Sequence, residues 1–160
     1  YAPLSALEVS MAIILAALTR SFLIAIISIA VFSLIVEMPI NNILFIFIFG
    51  FLSAFILGSL GFIAGLWAEK FDHTATVTNF IITPLSFLSG VFYSIDKLPK
   101  FFQTISHINP FFYMIDGFRY GFLGKSDGSI SVGLIYLIIL SIAMWYTAFF
   151  LYKKGYKIKS

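Results

Sequence analysis

The sequence predicts an all-α polytopic membrane protein, with four transmembrane helices and a re-entrant helical hairpin on the extracytoplasmic side. Three observations carry that class. Of the 160 residues, 61% are hydrophobic and only 11% charged, against about 25% charged in a soluble domain. Apolar runs of membrane length recur, separated by short polar breaks. Between two of these runs lie about thirty residues that are still apolar but cut by Pro99, Pro110, Gly117, Gly121 and Gly124. Such a stretch cannot cross a bilayer as one helix and reads as two short helices dipping into one face.

Composition also removes alternatives. The 20 Phe, 8 Tyr and 2 Trp suit lipid and interface contacts. The formal charge of +3 sits mostly in one tail, which gives no footprint for nucleic acid. With no Cys, disulfides and thiolate metal sites are excluded. The whole chain, 1–160, reads as a single transmembrane domain, a fragment of something longer.

The elements follow in order. Tyr1, Ala2, Pro3 and Leu4 form a turn into the first span, about 9–36. The 28 residues between Glu8 and Glu37 are interrupted by one charge, Arg20. That run is about 40 Å of helix against a hydrocarbon core of roughly 30 Å, so the helix is tilted or begins in the interface, with Arg20 in the inner part. An intramembrane Arg is a functional candidate, with snorkelling or structural pairing as the plainer alternative. Pro39 ends this segment, and the second span covers about 42–68. Its Ala54, Gly58, Gly61 and Gly65 share one helix face, where small residues let another backbone approach closely.

Glu69 to His73 is a charged turn. Asp72 and His73 lack a third ligand nearby in sequence and read as a solvated loop rather than a metal or acid–base site. The third span, about 74–93, is the most polar, with Asn79 and Thr83 among its hydrogen-bonding side chains and Pro84 near its middle. Pro84 frees a carbonyl and bends the helix. This helix lines a pathway through Asn79, Thr83 and Pro84, or is held by hydrogen bonds to its neighbours; both readings stay open.

The hairpin, about 95–123, starts with a helix from about Leu98 to Ile108, where Leu98, Phe101, Phe102, Ile105 and Ile108 recur at helical spacing. Asn109 is a good N-cap, and Pro110 suits the first helical position, so a second helix runs to about Tyr120. Asp116 and Arg119, three apart, are expected to pair locally, with a gate or substrate contact as the alternative. Gly124-Lys125-Ser126 copies the end of a phosphate-binding loop, but Arg119 stands where its first Gly is required and no strand precedes it. Nucleotide binding by this chain is therefore rejected, and no hydrolase, redox or metal constellation is present in the sequence.

The last span, about 130–152, runs into a basic tail, 153–160, with Lys153, Lys154, Lys157 and Lys159. Positive charge marks the cytoplasmic side. Turn 69–73 is then inside and the hairpin outside, although Lys97, Lys100, Arg119 and Lys125 on the outer side nearly balance the count.

Gly90 to Tyr93, Leu98-Pro99, Asn109-Pro110, Tyr113, Gly117 to Arg119 and Leu123-Gly124 form a chained set. It closely resembles the end of bacterial ABC transporter permeases of the drug and polysaccharide export type, the ABC-2-type family. The resemblance implies the last four spans of a six-span permease of the bacterial inner (plasma) membrane, with an N-terminal segment and two spans missing and the C-terminus cytoplasmic. It implies a homodimer with a second permease copy and a separate ATP-binding cassette subunit that holds ATP and Mg; this chain itself binds no cofactor and is not catalytic. It implies an ATPase-coupling surface at Tyr1, Ala2, Pro3, Leu4, Lys70 and Asp72. It also implies an outer gate built from Gly90, Tyr93, Leu98, Pro99, Asn109, Pro110, Tyr113, Asp116, Gly117, Arg119 and Gly124. The function expected is ATP-driven export. The alternatives are a secondary transporter or channel, which the span-edge positions of Glu8, Glu37, Glu69 and Asp72 count against, a non-transport membrane scaffold, and a membrane enzyme.

Overall fold

The computed structural model describes residues 5–68, 75–92 and 95–155. Six helices are α1 (Ala6–Ser33), α2 (Ile43–Trp67), α3 (Ala75–Phe87), α4 (Lys100–Ile108), α5 (Pro110–Leu123) and α6 (Ile130–Lys153). Among the described residues three of them, α1, α2 and α6, are long and apolar enough to cross a membrane. The chain divides into two compact units. One comprises Tyr1–Met38, Ala54–Thr74 and Leu140–Ser160, the other Pro39–Ser53 and Ala75–Ile139.

The expected third span, about 74–93, differs. The described helix there is Ala75–Phe87, ~20 Å by helical rise, and it ends before the expected Tyr93. The cause is local. Pro84 has no N–H to give, and the turn before it widens into a π-helix, Thr78–Ile82, in which Thr83 N–H and the Thr83 hydroxyl both donate to the Thr78 carbonyl. Beyond Phe87 the backbone turns at Gly90, whose φ of 78° suits a residue without a Cβ.

In the first unit, α1 starts with a capping box. The Ser5 hydroxyl accepts from Glu8 N–H while the Glu8 carboxylate accepts from Ser5 N–H. Ile14 and Leu18 face inward, and a Cβ added at Gly58 of α2 would stand 3.0 Å from that of Ala17. The rest of α1 presents Leu15, Leu23, Ile26 and Ile27 outward, as a helix bathed in lipid does. The rings of Phe62 and Tyr152 join α2 to α6, 5.8 Å apart.

In the second unit, α5 is the centre, with Phe111, Phe112, Tyr113, Met114 and Asp116 buried. It lies against the first half of α2 through Gly117 and Gly121. A Cβ at Gly117 would sit 2.2 Å from the Phe49 ring, and one at Gly121 would sit 2.5 Å from Ile46 Cγ1 and 2.9 Å from its backbone N. Where the two helices meet, their unpaired ends satisfy each other. Asn41 N–H donates to the Gly121 and Phe122 carbonyls and Asn42 N–H to Gly121, at 2.8–3.1 Å. The last carbonyls of a helix have no internal partner, and these amides at the approach to α2 supply one. Gly124, left-handed at φ 69°, ends α5, with its N–H on Tyr120.

These contacts rank the glycines. Gly121→Ala should lower the thermal midpoint of the full permease in detergent, at a cost of about 1–3 kcal/mol, because backbone rather than a flexible tip must move. Gly61→Ala, where an added Cβ meets nothing within 4 Å, should be neutral or stabilise by up to ~1 kcal/mol through helix propensity. Equal effects in a thermal melt would refute this ranking.

Candidate functional site

The hairpin residues and the end of α3 form one connected site in the second unit. Its logic is set by backbone carbonyls. The last turn of α3 and the bend after it expose acceptors that nothing in their own helix can reach. Three side chains from the hairpin supply the donors. Asn109 Nδ2 donates to Leu85 O at 2.6 Å, Ser106 Oγ to Leu88 O at 3.0 Å, and Arg119 Nη2 to Gly90 O. Ser106 is fully buried and Asn109 nearly so, so their two bonds are made largely away from solvent, where leaving one unmade costs most.

Local sequence explains how the donors are aimed. Asn109 is the N-cap of α5; its Oδ1 accepts from Phe111 N–H at 3.0 Å, which leaves its amide nitrogen free to reach Leu85. Pro110 holds the first helical position. Pro99 stands one place earlier relative to its helix, at the N-cap of α4. Leu98 sits in the turn before it, its carbonyl accepting from Gln103. On α4 the apolar side points outward, with Phe101 70% and Ile108 68% exposed, while Ser106 of the polar side points in. The α4 carbonyl at Ile108 is satisfied from α6 by the Tyr136 hydroxyl at 2.8 Å. Tyr113 is packed between, its ring 5.2 Å from that of Tyr136 and close enough to Gly133 that a Cβ there would meet it at 2.9 Å.

Asp116 and Arg119 are both central, but not chiefly as partners of each other. Their closest approach is 3.9 Å, while Arg119 Nη1 reaches Asp127 Oδ2 at 3.0 Å. The Asp116 carboxylate instead accepts from the backbone N–H groups of Asp127 and Gly128, at 2.7 and 3.0 Å. Burial pushes the Asp116 carboxyl above the ordinary carboxylate range, against the pull of those two amides and Arg119. Arg119 thus ties the bend at Gly90 to the loop before α6, and Asp116 fixes the shape of that loop.

The remaining expected residues fall as follows. Tyr93 of the gate set and the whole coupling surface, Tyr1, Ala2, Pro3, Leu4, Lys70 and Asp72, lie outside the described residues. Asn79, Thr83 and Pro84 are exposed on the π-distorted part of α3. Gly58 packs on α1, whereas Gly61 and Gly65 border open space in the first unit. Sequence reasoning missed Ser106, Asp127 and Tyr136, whose partners are distant in sequence. It named Gly117 only for the gate and Gly121 only as a break, although their spacing of four was a visible signal of close helix packing.

The profile of the ABC-2 type transporter family matches residues 1–123. The inner membrane transport permease YadH of Escherichia coli (strain K12) is 34% identical over 141 residues, 88% of this chain and 55% of the relative. Nodulation protein J of Sinorhizobium fredii (strain NBRC 101917 / NGR234) is 29% identical over 91 residues, 57% of this chain and 35% of its own length. Nodulation protein J of Rhizobium leguminosarum bv. viciae is 31% identical over 85 residues, 51% and 33% respectively. The chain thus spans just over half the length of the first of these relatives, and no solved structure matches it.

Asp116→Asn should cost about 1–3 kcal/mol, since the new NH2 would face a backbone donor that the carboxylate now satisfies. Asp127→Asn, at a partly exposed position, should cost less. Thermal melts and hydrogen exchange at the 127 and 128 amides check the order; faster exchange in the Asp127 variant alone would reverse it.

Proposed function

The chain belongs to the ABC-2 type transporter family, and on that premise we propose that it forms the membrane-spanning part of an ATP-driven exporter. The observation that carries this reading is the 34% identity to an inner membrane transport permease along 88% of the chain, together with three helices of membrane length. In this reading ATP and Mg are held by a separate ATP-binding cassette subunit, two permease copies assemble in the inner membrane, and cargo leaves between them.

The finer topology follows from the same premise. The C-terminal lysines face the cytoplasm. The α4–α5 hairpin enters the outer part of the bilayer without crossing it. A short α3 then suffices as the third crossing, because it needs only to reach the depth of the hairpin that receives its end. Irregular backbone at membrane depth is tolerated where protein covers it, and Ser106, Asn109 and Arg119 provide that cover.

The gate is the hairpin with its hold on α3. Closure of the ATP-binding subunits would work on the cytoplasmic side, at the Tyr1–Leu4 and Lys70–Asp72 surface. The response would reach the hairpin as a change in how α3 is held. On α3 and the bend after it Asn109 and Arg119 hold carbonyls rather than charged groups, so that grip can be released while Arg119 keeps its ion pair with Asp127.

Two measurements test this. The segment has no Cys, so a Cys placed at Ser129 should react with an impermeant maleimide in intact cells, and one at Lys154 only after permeabilisation; the opposite pattern would invert the topology. Alanine at Asn109, or at Pro99 and Pro110 together, should reduce cargo export while the ATP-binding subunit still co-purifies. Unchanged export would remove the hairpin from the mechanism.

A further inference from the structure

The far end of α6 carries an arrangement that the site above does not use. From Ile130 to Tyr152 the helix holds no charged residue, and Lys153 and Lys154 follow at once. Two ladders lead up to them at the helical spacing of four. In one, the Trp145 and Phe149 rings stack at 5.8 Å and Lys153 Nζ lies 5.9 Å from the centre of the Phe149 ring. In the other, the Tyr146 and Phe150 rings stack at 6.2 Å and Lys154 Nζ stands over Phe150 at 4.5 Å. The second ladder is open. Tyr146 is 60% and Phe150 42% exposed, both lysines are exposed, and so is Ile142, one turn earlier on the same line. All of these residues lie in one compact unit.

Length fixes the depth. A helix of membrane length that ends in charge places that end at the membrane surface. Both ammonium groups turn back over the rings of the turn before. That keeps the charge at the level of the aromatic residues, where lipid headgroups lie. From Ile142 to Lys154 is ~18 Å of helix, close to the ~15 Å depth of one leaflet's hydrocarbon. Charge then decides what sits there. Neither lysine has a carboxylate partner among the described residues, and the sequence has no acid after Asp127. The negative C-terminal end of α6 favours the lysines but leaves the exposed aromatic line beneath them uncovered. Two cations at headgroup level, above an apolar line of one leaflet's length, match the shape and charge of an anionic phospholipid.

We propose that the end of α6 binds a resident anionic phospholipid of the leaflet in which the helix ends. The phosphate diester takes the Lys153 and Lys154 ammonium groups, and one acyl chain lies along Phe150, Tyr146 and Ile142. The ring behind each ammonium holds it at the membrane surface, so less side-chain freedom is lost on binding than for a lysine free in water. The site requires α6 to end at a membrane surface and requires nothing of export, so it goes beyond the exporter reading.

The test uses the full-length permease with its ATP-binding subunit in nanodiscs of mixed phosphatidylcholine and phosphatidylglycerol. A trace of either lipid, carrying a photoreactive group in one acyl chain, is cross-linked and the labelled residues are mapped by mass spectrometry. The phosphatidylglycerol probe should label the 142–150 segment about fivefold or more above the phosphatidylcholine probe, the preference that roughly one lysine confers near an anionic surface. Lys153→Gln together with Lys154→Gln should remove most of that preference. Arg at both positions should keep it, and Lys125→Gln, before the other end of α6, should leave it unchanged. Equal labelling by the two probes, or an unchanged preference in the double Gln variant, overturns the proposal. So does an absence of label on 142–150 in an intact complex, which would show that protein covers this face. If the double Gln variant does not assemble, Phe150→Leu removes the ring behind Lys154 and keeps the line apolar. The preference should then fall by about half or more, and an unchanged preference in that variant is equally fatal.

Discussion

Every backbone carbonyl that a helix end sets free in a low-dielectric setting must find a donor, and that requirement shapes the second unit. α3 cannot end in lipid by itself. Pro84 removes one N–H from its ladder, a π-turn absorbs the register change, and Gly90 bends the chain away. The acceptors exposed by this break are taken up by Asn109, Ser106 and Arg119. The same rule recurs at Ile108, served by Tyr136, and at the end of α5, served by the amides of Asn41 and Asn42. The helices here are joined end to side through polar groups as much as face to face through apolar ones.

Packing adds the complementary constraint. With lipid tails as apolar as Leu, helices in a bilayer gain little from hiding hydrophobic surface and more from close fit. Gly117 and Gly121 bring α5 onto Phe49 and Ile46 closely enough that a single methyl group would collide. The hairpin is therefore seated on α2 by shape and on α3 by hydrogen bonds. Its outward side keeps Phe101 and Ile108 exposed, which suits a lipid-facing position.

What could be read in the sequence was what is local. The all-helical class, long apolar helices and the Asn109-Pro110 cap each follow from neighbouring residues, and the structure has them; the second hairpin helix, expected to end at about Tyr120, runs on to Leu123, where Gly124 stops it. The capping box of Ser5 and Glu8 was equally available from its spacing. The short length of α3 was harder, because Pro84 and Gly90 each permit a bend without requiring the helix to end. Arg119 shows why the site was only partly legible. Its spacing to Asp116 suggested a pair along one helix, but Asp127 and the Gly90 carbonyl reach it from other parts of the chain and hold it more closely. Ser106 and Asn109 bond to residues 18 and 24 positions away, a distance over which no periodicity speaks.

The meeting of α2 with α5 has a consequence for biosynthesis. Asn41 and Asn42 leave the ribosome about eighty residues ahead of the Gly121 and Phe122 carbonyls they bind. At roughly 5–20 residues per second, their amides go without these protein acceptors for several seconds after α2 emerges. Water or lipid headgroups must serve them in the interval. The seam therefore closes late, after the hairpin has been made, and until then the start of α2 cannot take its final position.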